Sequence, residues 1–294
     1  MNYPVDHPAR HVVPEARVDD VESWSGKDKG DENFPVGSFL ISRRLRRHMH
    51  AYYAFARNAD DIADSAELLP EEKIARLDVM EAVLLGKRDH GAPSALRLRH
   101  SLAATKVSPV HATDLLIAFR QDATKNRYET FDELYNYCRY SAVPVGRYVI
   151  DLHGQDPRCY GPSDALCIAL QILNHLQDCA EDMRNLDRCY LPLTLMRHFN
   201  VRPLDLLRPA ETPQIRRVFI TVLDRIDRLN LAAEDLPSMV RDRRLRAETA
   251  CICALAARLA RRLTRQDPLA GRVALTKWDG AMSVLRGLGA FAWR

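Results

Sequence analysis

The chain has 294 residues, 47% of them apolar and 28% charged, which gives enough apolar surface for one or two packed domains and excludes a disordered, collagen-like or fibrous protein. Its 43 basic and 39 acidic residues leave a formal charge of +4, too small and too dispersed to serve as a nucleic-acid footprint. Seven cysteines, at 138, 159, 167, 179, 189, 251 and 253, form no C-x-x-C pair, which argues against a disulfide framework or a zinc cage and for small core residues.

Residues 1–30 mix Pro, Lys, Asp and Gly without periodicity and read as a mobile leader. His7, Arg10, Glu15, Asp19 and Asp20 leave no room in it for the apolar stretch of a secretory signal. From Phe34 the pattern turns helical, with Pro35 near an N-terminus and apolar or aromatic residues running through Leu45, Met49, Tyr52, Tyr53, Phe55, Ile62 and Ala63. Further helices are predicted at about 71–86, 92–104, 109–125, 130–153, 163–185, 190–199, 213–234, 238–266 and 276–290. Short connections are marked by Pro70, Pro93, Pro109, Pro162, Pro203 and Pro268. With no low-complexity linker, no repeat and few β-hairpin signals, residues 31–294 are expected to form a single all-α domain. No run of 18 apolar residues occurs, so no spanning helix is expected and the chain reads as cytoplasmic. The arginine-dense stretch from Arg216 to Arg265 reads as solvated helix face, with docking on an anionic membrane surface as the rarer alternative.

Two predicted helices invert the usual proportions of an amphipathic helix. Tyr53, Arg57, Asp60 and Asp64 are spaced 4, 3 and 4 apart, so they share one helix face, while Ala51, Ala54, Phe55, Ala56, Ala59, Ile62 and Ala63 cover the rest. Gln171, Asn174, Asp178 and Asp182, spaced 3, 4 and 4, do the same among Leu166, Ile168, Ala169, Leu170, Ile172, Leu173, Leu176 and Ala180. A narrow polar seam on an apolar helix is expected where the seam lines an internal cavity. One such D-x-x-x-D alone reads as ordinary surface ion pairing; two of them on apolar helices do not. Carboxylates facing one cavity repel by roughly 4 kcal/mol per pair at ~4 Å, so a cation is expected between them. All-oxygen ligands select Mg²⁺ or Mn²⁺ over zinc, and Mg²⁺ favours sites shared with substrate phosphates. Arg57 in the first seam suits either an intrahelical partner for Asp60 or Asp61 or a bidentate grip on a diphosphate.

These residues resemble the squalene/phytoene synthase family, all-helical enzymes that act on long isoprenoid diphosphates. The run Tyr53-Ala-Phe-Ala-Arg57-Asn-Ala-Asp60-Asp61-Ile-Ala-Asp64 is similar to the family's first aspartate-rich signature. Gln171-Ile-Leu-Asn174-His-Leu-Gln-Asp178-Cys-Ala-Glu181-Asp182, followed by Arg188-Cys-Tyr190-Leu-Pro192, is similar to the second, and the stretch from Tyr137 to Arg147 resembles its kinked central helix. Glu32-Asn33-Phe34-Pro35-Val36 and the Ser141-Ala-Val-Pro144-Val-Gly146-Arg147 run resemble the hydroxysqualene synthase branch of bacterial hopanoid pathways, with Val143 standing where that branch shows asparagine.

The resemblance implies an isoprenoid-synthase helical bundle around a central cavity. It also implies that presqualene diphosphate and water are converted to hydroxysqualene and diphosphate, without NAD(P)H. Asp60, Asp61, Asp64, Asp178 and Asp182 would hold Mg²⁺. Arg57, Arg147 and Arg188 would grip the diphosphate, with Arg184 equally suited to surface pairing. Phe34, Tyr53 and Tyr140 would offer aromatic faces to a carbocation, and Gln171, Asn174 or Tyr190 would position the water. Head-to-head condensation of two farnesyl diphosphates is the alternative within the family, and a non-catalytic helical scaffold the alternative outside it. Such apolar substrates bring in peripheral contact with the inner membrane face and neighbouring pathway enzymes as expected partners. A loose G-x-G-x-x-A at Gly287–Ala292 follows no strand and is rejected as a nicotinamide site; His48 and His50 lack a third ligand nearby.

Overall fold

A computed structural model of the chain describes residues 20–22 and 42–292. Phe34, with the rest of the expected entrance block, and Trp293 lie outside the described residues. In chain order the helices are α1 (Arg43–Asp64), α2 (Pro70–Leu84), α3 (Pro93–Thr105), α4 (Val110–Asp122), α5 (Phe131–Ser141), α6 (Val143–Leu152), α7 (Tyr160–Gln177) and α8 (Cys179–Asn185). They continue with α9 (Leu193–His198), α10 (Pro213–Ala233), α11 (Leu236–Met239), α12 (Arg243–Leu263) and α13 (Lys277–Ala292). Two 3₁₀ turns, Pro157–Cys159 and Pro203–Leu207, complete the described elements, and no strand occurs among them. The all-α expectation holds.

The starts of the helices follow from local chemistry. Ser42, Thr130, Thr212 and Asp242 cap α1, α5, α10 and α12 by accepting from the backbone N–H of Leu45, Glu133, Ile215 and Leu245 at 3.4, 3.2, 3.3 and 2.9 Å, each cap stabilising its helix by about 1 kcal/mol. Pro70, Pro93 and Pro213 open α2, α3 and α10 at a position where a missing N–H costs nothing. The stretch expected as one helix over 130–153 breaks at Ala142, which sits at φ −125° and ψ −44°, because Pro144 cannot continue the hydrogen-bond ladder. A second break falls at Asp178, between α7 and α8, and a third separates α11 from α12 at 240–242.

Two apolar cores result. One gathers α1 to α4 and α6 around Phe55, Ile62, Leu77, Leu98 and Leu116, all at most 1% exposed, and full burial of each such side chain contributes roughly 1.5–3 kcal/mol. Tyr52 of α1 and Tyr148 of α6 stack within it at 3.9 Å between ring centroids, and the Tyr148 hydroxyl donates to the His48 carbonyl at 3.0 Å. The other core joins α5, α7, α10 and α12 around Leu134, Ile172, Leu173, Phe219 and Leu259. The α6 and α7 backbones approach closely at Gly146, where a Cβ would lie 2.5 Å from Ser163 Oγ and 2.6 Å from Cys167 Sγ. Any side chain there would force the helices apart.

Of the leader, residues 20–22 dock against the first core. Val21 is buried and donates its N–H to the Gly91 carbonyl at 2.8 Å, and the Glu22 carboxylate accepts from the Ser94 N–H and hydroxyl at the start of α3. These three residues are therefore part of the packed domain, contrary to the expectation of a mobile segment.

Candidate active site

The cavity between the two cores has a volume of about 390 Å³, within the range of small-molecule sites. It is walled by Arg57, Asp60 and Asp64 from α1, Asp122 at the end of α4 and Tyr137 from α5 on one side. Gln171, Asn174, His175 and Asp178 from α7, Asp182 from α8, the 186–190 segment and Arg272 form the other. The two acidic seams read from the sequence thus face the same space.

Four carboxylates on this wall, Asp60, Asp122, Asp178 and Asp182, are pushed towards their neutral form. Burial, then the charge of Asp64, pushes Asp60 up to about 8. Asp60 keeps 38% of its side-chain surface accessible, and that surface opens into the cavity it helps to wall. Asp182 rises to about 7 through burial and then the charge of Asp178, and Asp178 is itself raised by burial against the opposing pull of Arg272, 3.5 Å away. Asp122 closes α4 at its C-terminus, where the backbone carbonyls add further negative potential, whereas Asp178 sits at the joint that ends α7 and caps α8.

Arg188 carries the countercharge between the ridges. It is 5% exposed and donates to Asp64 Oδ1 at 2.9 Å and to the Asp122 carbonyl at 3.0 Å, with the Asp122 carboxylate 3.9 Å from its Nε. Burial alone would discharge it, but Tyr190, Asp122 and Asp64 hold it firmly charged. Asp122 accepts from the Tyr137 hydroxyl at 2.8 Å and the Tyr190 hydroxyl at 3.2 Å, yet burial still pushes it up to about 7. The Nε groups of Arg57 and Arg188 are buried without a hydrogen-bond partner, which leaves donors on the wall for an anionic ligand.

Among the described residues no three His, Cys, Asp or Glu side chains group closely enough to hold one metal ion by themselves. The acids instead come as pairs on opposing helices. Mg²⁺ fits such a donor set, because it keeps several waters and is bound through one or two carboxylates together with substrate phosphates.

Several expected residues sit elsewhere. Asp61 does not line the cavity; one position beyond Asp60 turns a side chain by about 100° around the helix, and it lies buried against Arg57 at 2.8 Å. Arg57 does wall the cavity, with Asp60 at 3.3 Å as its other partner. Arg147 faces away: it makes a bidentate bond to Asp164 at 2.9 and 2.6 Å and lies over the Tyr160 ring, on the α6–α7 contact. Tyr53 and Tyr140 are half-buried and are not among the lining residues. Gln171, Asn174, Arg188 and Tyr190 stand on the wall as expected. The lining among described residues is mostly polar, with Tyr137, Tyr190 and Leu186 its aromatic and aliphatic parts, so the apolar chamber expected for the hydrocarbon chain is not part of it.

Besides Leu186, four lining residues were not singled out from the sequence. Asp122 continues the apolar stripe Leu115, Ala118, Phe119 on α4, and a carboxylate in step with that stripe was its signal. His175 falls four residues after Gln171 and three before Asp178, on the same helix face. Tyr137 stood in the kinked-helix block without a role. Arg272 carries no periodic signal, because an irregular segment folds it back, tied by the Gln177 side-chain amide donating to the Val273 carbonyl at 2.5 Å.

The model of the squalene/phytoene synthase family matches residues 27–279. The chain is 45% identical to the hydroxysqualene synthase of Rhodopseudomonas palustris over 254 residues, covering 86% of this chain and 87% of that protein. It is 42% identical to that of Sinorhizobium fredii over 262 residues, 89% and 88% of the two chains. Among solved structures, a squalene synthase from Alicyclobacillus acidocaldarius superposes with a TM-score of 0.69 at 30% identity, over 79% of this chain and 87% of the other. A dehydrosqualene synthase solved with a ligand gives 0.72 at 20% identity, over 89% and 92%, which speaks for the fold alone.

Proposed function

The chain belongs to the squalene/phytoene synthase family and is an enzyme of the hydroxysqualene synthase kind; from that premise we propose that it ionises presqualene diphosphate and captures the rearranged cation with water, giving hydroxysqualene and diphosphate without a reductant. The observation that carries this reading is the pair of acidic ridges, Asp60 and Asp64 against Asp178 and Asp182, facing one cavity whose arginines have donors to spare. Asp60, Asp64, Asp178 and Asp182 would hold Mg²⁺, whose charge, when bound, makes the diphosphate a better leaving group.

The chain's own residues do the rest. Arg57 and Arg188 orient the diphosphate and take up charge as the carbon–oxygen bond breaks. The rings of Tyr137 and Tyr190, 5.2 Å apart and tilted by 36°, stabilise a cation that leaves the phosphate end of the cavity. Both hydroxyls donate to Asp122, which fixes the ring planes.

Purified protein given presqualene diphosphate and Mg²⁺ without NADPH tests the reading. One equivalent of alcohol per diphosphate released is expected. Consumption of farnesyl diphosphate with no reaction of presqualene diphosphate would replace the proposal with the condensation reaction. Among the described residues no helix is long and apolar enough to cross a membrane, and Trp278, Val284 and Phe291 stand exposed on α13, with Arg243 lying over Phe291. These exposed apolar side chains support peripheral contact with an anionic bilayer, to be measured by co-sedimentation with anionic vesicles; equal binding by Trp278→Ser would remove it.

A further inference from the structure

One polar side chain on the cavity wall has no part in ionisation. His175 is 8% exposed, and its ring lies on that of Tyr190 with centroids 3.5 Å apart and planes 17° from parallel. The Tyr137 ring lies 5.9 Å away, tilted by 42°. The imidazole plane is thereby fixed. Its Nε2 is buried without a hydrogen-bond partner among the described residues. A buried polar group left unbonded is costly, so the position calls for a partner that the protein does not supply.

The surroundings say which partner. The Nη groups of Arg188 are spent on Asp64, the Tyr190 hydroxyl and the Asp122 carbonyl, and its Nε faces the Asp122 carboxylate at 3.9 Å. The Asp122 oxygens are engaged by two tyrosine hydroxyls and Asp64 by Arg188. Burial, and after it the charge of Arg188, pushes the imidazole down to about 3. It is therefore neutral at working pH, with one N–H and one free lone pair. A water molecule that donates a hydrogen to that lone pair keeps an oxygen lone pair free to attack.

Resting on the function proposed for this cavity, we propose that His175 orients the water that captures the carbocation and accepts its proton. The water oxygen forms a bond to the cationic carbon, one O–H bond breaks, and the proton moves to the imidazole nitrogen. The imidazolium then passes it to the departed diphosphate, whose oxygen kept the electron pair of the broken C–O bond. Water is consumed, its hydroxyl ends on carbon, and the ring is neutral again. A weakly basic imidazole suffices, because water bonded to a cationic carbon is a far stronger acid than imidazolium. A carboxylate at this position would instead strip a proton from the cation and give an elimination product.

The test uses His175→Phe, which keeps the ring stacked on Tyr190 and removes both nitrogens, and His175→Gln, which restores an acceptor. Each is incubated with presqualene diphosphate and Mg²⁺ without reductant, and both diphosphate release and the ratio of alcohol to elimination hydrocarbons are measured. His175→Phe should release diphosphate at a rate near wild type while the ratio falls about tenfold or more, the size of one lost hydrogen bond in the capture step. His175→Gln should recover part of it. A wild-type ratio in His175→Phe overturns the role of His175 and leaves the proposed reaction standing. No diphosphate release by the wild-type protein overturns both. Should His175→Phe fail to fold by circular dichroism, His175→Leu, also without a ring nitrogen, decides by the same ratio.

Discussion

Replacing Asp122 by Asn isolates one buried carboxyl from the rest of the cluster. Asp122 is 6% exposed, and in the folded protein burial carries it from an ordinary 3.8 to about 7. Between those values the native state holds a proton that the unfolded chain has already released, so stability falls as pH rises through the window. Roughly three pH units at about 1.4 kcal/mol each make about 4 kcal/mol, lost in full by pH 8. In Asp122→Asn the amide oxygen keeps one tyrosine hydroxyl as its donor and the amide NH2 faces the other hydroxyl oxygen, but nothing titrates. Urea unfolding in EDTA at pH 5 and pH 8 gives the comparison. The wild-type protein should lose more stability than the variant between the two, by roughly 2–4 kcal/mol. Parallel losses, within about 0.5 kcal/mol, would show that Asp122 is ionised at little cost and that the Arg188 contact outweighs its burial.

Mg²⁺ should raise the melting temperature, by about 5 °C or more at a concentration of 100 Kd, which corresponds to about 2.7 kcal/mol. The rise should be larger at pH 8 than at pH 5.5, since Asp60 and Asp182 must lose protons to bind it; a rise of equal size in Asp178→Asn/Asp182→Asn would place the ion elsewhere. Asp178→Asn should abolish turnover with helical circular dichroism unchanged, whereas Asp61→Asn, removing a group beside Arg57 and off the cavity, should cost at least about tenfold less in kcat/KM; equal losses would return Asp61 to the cavity. Arg147→Ala loses a half-exposed pair with Asp164 and should lower stability by about 0.5–1 kcal/mol while kcat/KM stays within about threefold. A collapse of kcat/KM in a folded Arg147→Ala would tie that residue to substrate after all.

The fold was legible because helix periodicity and proline positions are local properties. The nine helices expected after the first all occur, and the main errors lie where the chain breaks a helix without ending it. Ala142 and Asp178 interrupt the ladder for a residue, with the Asp178 N–H still bonded to Asn174 and its carbonyl to the Asp182 N–H at 2.8 Å. Apolar periodicity runs across such a break almost undisturbed. Docking of Val21 and Glu22 was hidden for the opposite reason: two side chains suffice to pin a segment whose composition is that of a loop.

At the site, the sequence disclosed what repeats at helical spacing and missed what is assembled across helices. Asp60 with Asp64 and Asp178 with Asp182 announce themselves as polar seams, because their neighbours on the same helix are apolar. Arg147 and Asp61 satisfy similar pattern rules and fail, since a partner on α7 claims one and Arg57 one turn away claims the other. Asp122 shows the reverse. Its only mark in the chain is one carboxylate in step with an apolar stripe, and it becomes part of a site only when α5, α4 and the 186–190 segment bring Tyr137, Arg188 and Tyr190 around it. Those four side chains join the first ridge, through Asp64, to the aromatic wall and His175. Arg188 is the link that touches both, so removing its charge should disturb the diphosphate end and the ring stack together. That coupling separates a working cavity from two acidic helices that merely lie side by side.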